Sequence, residues 1–92
     1  MLEIRKLAKM PYAQAFVEYD STNNAIYLWS YRTLVAEIVD DILTVHGLYS
    51  ATTRKHISAF MCEYTMLDYK TAKHCYEYNY SLDISTGEVF EH

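Results

Sequence analysis

Residues 34–60, LVAEIVDDILTVHGLYSATTRKHISAF, carry the reading on which the fold rests. Leu34 to Val39 and Ile42 to Val45 are short runs rich in β-branched residues, joined at Asp40-Asp41. Two such runs across a two-residue polar connection predict a β-hairpin, although Asp-Gly would signal it more strongly. Gly47 then breaks the pattern, and Ser50 or Thr52 offers a hydroxyl to the orphan amides that open a helix. Ile57, Phe60, Met61 and Tyr64 fall at i, i+3, i+4 and i+7, which is one apolar stripe. Lys55, Ala59 and Cys62 stand opposite it. The spacing predicts an amphipathic helix over about Ala51 to Tyr64, whose stripe covers the open face of a sheet.

Upstream, Ala13 to Tyr19 reads as a half-buried strand. Ala15, Val17 and Tyr19 point one way, and Gln14, Phe16 and Glu18 the other. Asp20-Ser21-Thr22-Asn23-Asn24 is turn chemistry. Ala25 to Tyr31 follows, with Ile26 and Leu28 on one face and Tyr27, Trp29 and Tyr31 on the other. That aromatic face is either covered or a contact surface. Met1 to Pro11 alternates weakly, and its end at the only proline marks an edge or a turn. Downstream, Asp68 to His74 is compatible with a second short helix. Tyr76, Tyr78, Tyr80, Leu82 and Ile84 alternate with polar residues at a period of two, which predicts a strand. It turns at Ser85-Thr86-Gly87 into Glu88-Val89-Phe90. The expected fold is α+β: an antiparallel meander of about four strands packed by one amphipathic helix, with a C-terminal strand or hairpin.

The chain has 92 residues, 51% of them apolar or aromatic, and ten are tyrosines. One domain spanning 1–92 follows from that length. Tyrosine joins an apolar body to a polar tip, so it suits half-buried sheet faces and protein contacts alike. Twelve acids against eight bases give a net charge of −4, which counts against a general binder of phosphate backbones. Arg5, Lys6 and Lys9 make the N-terminal part basic, while Glu77, Asp83, Glu88 and Glu91 make the C-terminal end acidic. Charges within the first six residues predict no secretory leader, and no apolar run approaches the roughly 18 residues of a membrane span. A cytoplasmic setting with reduced thiols at Cys62 and Cys75 is expected.

No catalytic constellation stands in the chain, so an enzyme is not expected. His46, His56, His74, Cys62 and Cys75 lack the paired spacing of a zinc site. No phosphate-cradling loop is present, and there are two glycines. Neither a metal nor a cofactor is expected. The run Ser50, Thr52, Thr53, Arg54, Lys55 and His56 is the one candidate anion site, because a helix N-terminus presents unpaired amides and a positive dipole end. Plain capping and a solvated outer face account for the same residues.

SYRTLVAEI followed by GLYSATTRKHISAF resembles a pattern in small uncharacterised proteins of bacteria and their phages. In those, a tyrosine-bearing strand precedes a Ser/Thr-Thr-Arg-x-His helix. The resemblance covers roughly Tyr27 to Tyr64 and departs in the C-terminal part. It brings no activity and no catalytic residue, but it implies a setting: many such phage or mobile-element proteins bind and block a host machine, anti-CRISPR inhibitors among them.

The leading expectation is therefore a non-enzymatic protein that binds and inhibits a host protein, most sharply a nucleic-acid-handling effector such as a CRISPR nuclease. An acidic surface suits a channel built for nucleic acid. Asp40, Asp41, Tyr76, Glu77, Tyr78 and Asp83 are the expected contacts. One alternative is a nucleic-acid-binding module using Arg54, Lys55 and His56 with Arg5, Lys6 and Lys9. The other is a homo-oligomerising accessory domain with an exposed aromatic sheet face.

Overall fold

A single antiparallel sheet, in which neighbours in space are neighbours in sequence, forms the frame. The computed structural model describes residues 2–47, 50–67, 69–78 and 80–91. Its strands are β1 (Leu2–Arg5), β2 (Ala15–Asp20), β3 (Ala25–Ser30), β4 (Thr33–Val39), β5 (Ile42–Val45), β6 (Tyr80–Asp83) and β7 (Val89–Glu91). Two helices, α1 (Ala51–Tyr64) and α2 (Tyr69–Glu77), lie between β5 and β6 in the chain. The α+β class is as expected. The sheet has seven strands among the described residues rather than about four, and a second helix accompanies the first.

Short polar turns set the register. Val39 pairs with Ile42 across Asp40-Asp41. Both aspartates have left-handed backbones, at φ 50° and 65°, as a type I′ hairpin turn requires. At the β2–β3 turn the Asp20 carboxylate accepts the Thr22 and Asn23 amides and the Asn23 side-chain NH₂. Those donors hold its carboxyl below the usual carboxylate range. Substituting Asp41→Gly supplies the dipeptide this turn prefers and removes the cost of a left-handed L-residue. A gain of about 0.5 kcal/mol is expected after the entropy of glycine is deducted. Urea melts check it, and a loss of stability would contradict the assigned turn.

Register also assigns the faces. Arg5, Val17, Leu28, Ala36 and Val45 form one row across five strands, and Tyr19, Ile26, Ile38, Leu43 and Leu82 form the next. Val17, Leu28, Ala36, Ile38, Leu43 and Val45 join Ile57, Phe60 and Met61 of α1 and Ala72 of α2 in the core. The predicted stripe of α1 therefore faces the sheet, with Ser50 as its N-cap. Thr65 closes its C-terminus by donating both its amide and its hydroxyl to the Met61 carbonyl.

Several expectations need correction. The strand expected from Tyr76 onward is helix through Glu77, and β6 starts at Tyr80. Alternating tyrosines imitate a strand, but Ala72 and Cys75, three apart and both buried, supply a helical face. Asp68 and Asn79, and the side chain of Tyr80, lie outside the described residues. Ala59, expected opposite the stripe, is 8% exposed and belongs to the core. Tyr31, expected at the end of a strand, instead forms the β3–β4 turn with Arg32, and Tyr31 has φ 57°.

Candidate functional site

The sheet face turned away from the helices is the broadest candidate. Ile4, Glu18, Tyr27, Glu37 and Thr44 make one row across β1 to β5. Leu2, Asp20, Ala25, Val39, Ile42 and Asp83 make a second, and Phe16, Trp29 and Leu34 a third. None of these residues belongs to the helix-side core. Among the described residues, both helices pack on the opposite face. Phe16 and Trp29 stack with ring centroids 6.2 Å apart and planes 11° from parallel. The Trp29 indole Nε1 is shielded from solvent and has no hydrogen-bond partner.

The electrostatics of this face have one sign. Its three rows hold Glu18, Glu37, Asp20 and Asp83 and no lysine or arginine. Burial, followed by the charges of Glu37, Asp20 and Glu18, pushes the Tyr27 phenol above its ordinary value. His46 Nε2 lies 2.7 Å from Glu37 Oε1 and is the one titratable nitrogen that reaches the acids of these rows among the described contacts. The surface thus alternates half-buried aromatic rings with carboxylates. Aromatic rings that keep part of their surface in water beside charged groups suit a protein contact face.

A second cluster lies on the helix side. Ser30 Oγ stands 2.8 Å from His56 Nδ1 and 3.0 Å from Thr53 Oγ1. Thr53 N–H donates to Ser50 Oγ at 3.4 Å, so the network runs from the end of β3 into the N-cap of α1. The Tyr31 ring lies over the imidazole at 6.0 Å. A serine oxygen bonded to a histidine nitrogen has the spacing of a nucleophile and its base. Ser30 is 2% exposed and His56 1%, so a substrate cannot reach them in this conformation. The cluster acts as a joint that seats the helix on the sheet.

The expected anion site is consequently divided. Thr53 and His56 turn inward to Ser30, and Ser50 caps the helix. Thr52, Arg54 and Lys55 remain on the surface. Arg54 and Lys55 line a shallow groove with Ala51 and Ser58. Further along α1, Lys55 shares a groove with Lys9, which brings together one cation from each basic patch. Arg5 is engaged elsewhere, paired with Glu3 at 3.0 Å and placed over the Tyr19 ring.

The expected partner contacts also fall into two groups. Asp40 and Asp41 form the β4–β5 turn, and Asp83 pairs with Ile42 beside them. The Asp83 carboxylate accepts from Ser85 and Thr86, which hold it below its ordinary range. Tyr76 and Glu77 end α2 and Tyr78 follows, beyond the opposite end of β6. Four residues of strand put roughly 10 Å between those ends. Among the described residues no group of three or more His, Cys, Asp or Glu converges on a possible metal position. No helix there is long and apolar enough to cross a membrane.

The joint has a pH signature. Burial lowers the His56 pKa below its ordinary value of 6.5. Below pH 6.5 the unfolded chain then binds a proton that the folded chain refuses, so stability is full above that pH. It declines as pH falls through the folded pKa. The lowered carboxylates of Asp20 and Asp83 act only below their reference value of 3.8. Urea midpoints are expected to fall between pH 6.5 and 4.5. A flat profile there would show that His56 titrates normally.

The sequence profile of a family of unknown function (DUF8033) matches residues 3–81. That span runs from Glu3 in β1 to the start of β6, with Ser30, Thr53 and His56 and, apart from Leu2, the rows of the outer face as far as β5. No curated protein and no solved structure matches the chain.

Proposed function

The chain belongs to the DUF8033 family of unknown function, and we propose that it acts as a non-catalytic protein-binding module whose outer sheet face receives a basic partner. The observation that carries this reading is the juxtaposition of Phe16, Tyr27 and Trp29 with Glu18 and Glu37, on rows that hold no cation. Aromatic side chains supply contact area at low entropic cost, and one-signed charge selects and steers the partner. A second copy of the same face would bring carboxylate against carboxylate, which disfavours self-association through it. Phosphate backbones are repelled for the same reason. In its sharpest form, the partner is a nucleic-acid-handling effector whose basic channel is occupied and whose activity is inhibited. The motivation for that form is charge complementarity and the phage-like resemblance over roughly Tyr27 to Tyr64.

Affinity capture from a nuclease-treated lysate of the cells that carry the protein tests it, with wild type and a Glu18→Lys/Glu37→Lys variant side by side. A basic protein held in stoichiometric amount by the wild type and lost by the variant is the expected outcome. Equal capture by both chains would sink the assignment to this face. Recovery of nucleic acid in untreated lysate, abolished by nuclease, would transfer the function to the lysine-lined groove of α1.

A further inference from the structure

On the opposite side of the molecule, Lys9 Nζ lies 2.8 Å from Cys62 Sγ, across a sequence separation of 53. Both residues are exposed. Their contact is held from either side. Leu7 is fully buried in the core, and the Ala8 amide donates to the Glu63 carboxylate at 2.7 Å. The Met10 amide donates back to the Leu7 carbonyl, which closes the turn that carries Lys9. Cys62 sits in the last turn and a half of a fourteen-residue helix. Lys55, about two turns back along α1, lines the same groove as the pair. A thiol in cationic, solvent-reached surroundings is the kind that oxidants attack first. Cys75, 1% exposed, is shielded from the same oxidant.

We infer that Lys9 and Cys62 form a reversible covalent cross-link when the protein meets a peroxide. The Cys62 sulfur attacks the peroxide, whose O–O bond breaks. One oxygen stays on sulfur as the sulfenic acid, and the other leaves as water. The Lys9 amine, after releasing its ammonium proton to solvent, attacks that sulfur with its lone pair. The S–O bond breaks, and the hydroxyl leaves with an amine hydrogen as a second water. The product is a sulfenamide S–N bond: sulfur is oxidised by two electrons, peroxide is reduced to two waters, and the chain is lighter by two hydrogens. Two equivalents of an external thiol reverse it, becoming a disulfide while the amine and thiol are restored. The bond ties the β1–β2 connection to α1 and restricts the unfolded chain as a long-range disulfide does.

Treatment of the full chain with a small excess of hydrogen peroxide, followed by intact-mass and peptide mass spectrometry, tests this. A two-hydrogen mass loss and a cross-linked peptide pair containing Lys9 and Cys62 are expected. A rise in the thermal midpoint of about 5 °C should accompany them. Dithiothreitol reverses all three, Lys9→Arg or Cys62→Ser abolishes them, and Cys75→Ala retains them. Oxygenated Cys62 beside an unmodified Lys9, a Cys62-linked dimer, or the same mass loss in Lys9→Arg would overturn the inference.

Discussion

Replacing His56 with alanine is expected to remove about 3 kcal/mol of folding free energy, from a total of about 5–14 kcal/mol for a chain of this size. Two effects add. The imidazole is 1% exposed, so its loss leaves a cavity beneath the sheet that neighbours fill only in part. Its Nδ1 also partners the buried Ser30 hydroxyl, which then keeps only Thr53. Lys55→Ala, one residue earlier and exposed, is expected within about 0.5 kcal/mol of wild type. Ser30→Ala combined with His56→Ala should cost less than the two single losses added, since residues sharing a bond couple by about 0.5–3 kcal/mol. Strict additivity in urea melts would show that Ser30 and His56 contribute independently, and the joint would then be dismissed.

The second large effect is on binding. Glu18 and Glu37 flank Tyr27 in one row, so reversing both places two cations where a basic partner expects anions. Like-charge juxtaposition at an interface costs several kcal/mol. A loss of about 2–4 kcal/mol, or roughly 30- to 1,000-fold in Kd, is expected of Glu18→Lys/Glu37→Lys. Both positions are only partly buried, so the circular dichroism and urea midpoint should stay close to wild type. Lys9→Ala and Lys55→Ala, on the helix side, should leave affinity unchanged. Under the nucleic-acid reading these effects are exchanged, and affinity falls steeply with salt.

The sequence was informative where short-range rules decide structure. Ser50 and the Ile57, Phe60, Met61 and Tyr64 stripe marked α1, whose observed limits are Ala51 and Tyr64. Asp40-Asp41 marked a hairpin turn because aspartate tolerates the left-handed backbone that both residues adopt. Local rules pointed to a helix as far as His74 but failed at the end of α2, where tyrosines every second residue imitated a strand and Ala72 and Cys75 were the quieter helical signal. Spacing could not reveal the role of His56 either. Its partner Ser30 is 26 residues away in sequence, and only a three-dimensional contact turns that histidine from an exposed ligand into a buried support. The alternation in AIYLWS placed Tyr27 and Trp29 on one face. That Glu18 and Glu37 stand on either side of Tyr27 followed only from the register of three strands. Both halves of the resemblance, the SYRT and SATTRKH runs, meet at the Ser30, Thr53 and His56 joint, so much of that pattern reports how the helix is seated.

Site-specific photo-cross-linking tests the central claim most directly, with a benzophenone amino acid placed at Tyr27 on the outer face or at Lys55 on α1. Each variant is irradiated in the lysate that yields the captured partner, at low and at high salt. A cross-link from position 27 to one basic protein, weakened by salt and absent from position 55, is the predicted result. Cross-linking from position 55 alone would contradict it and place the binding surface on the helix side.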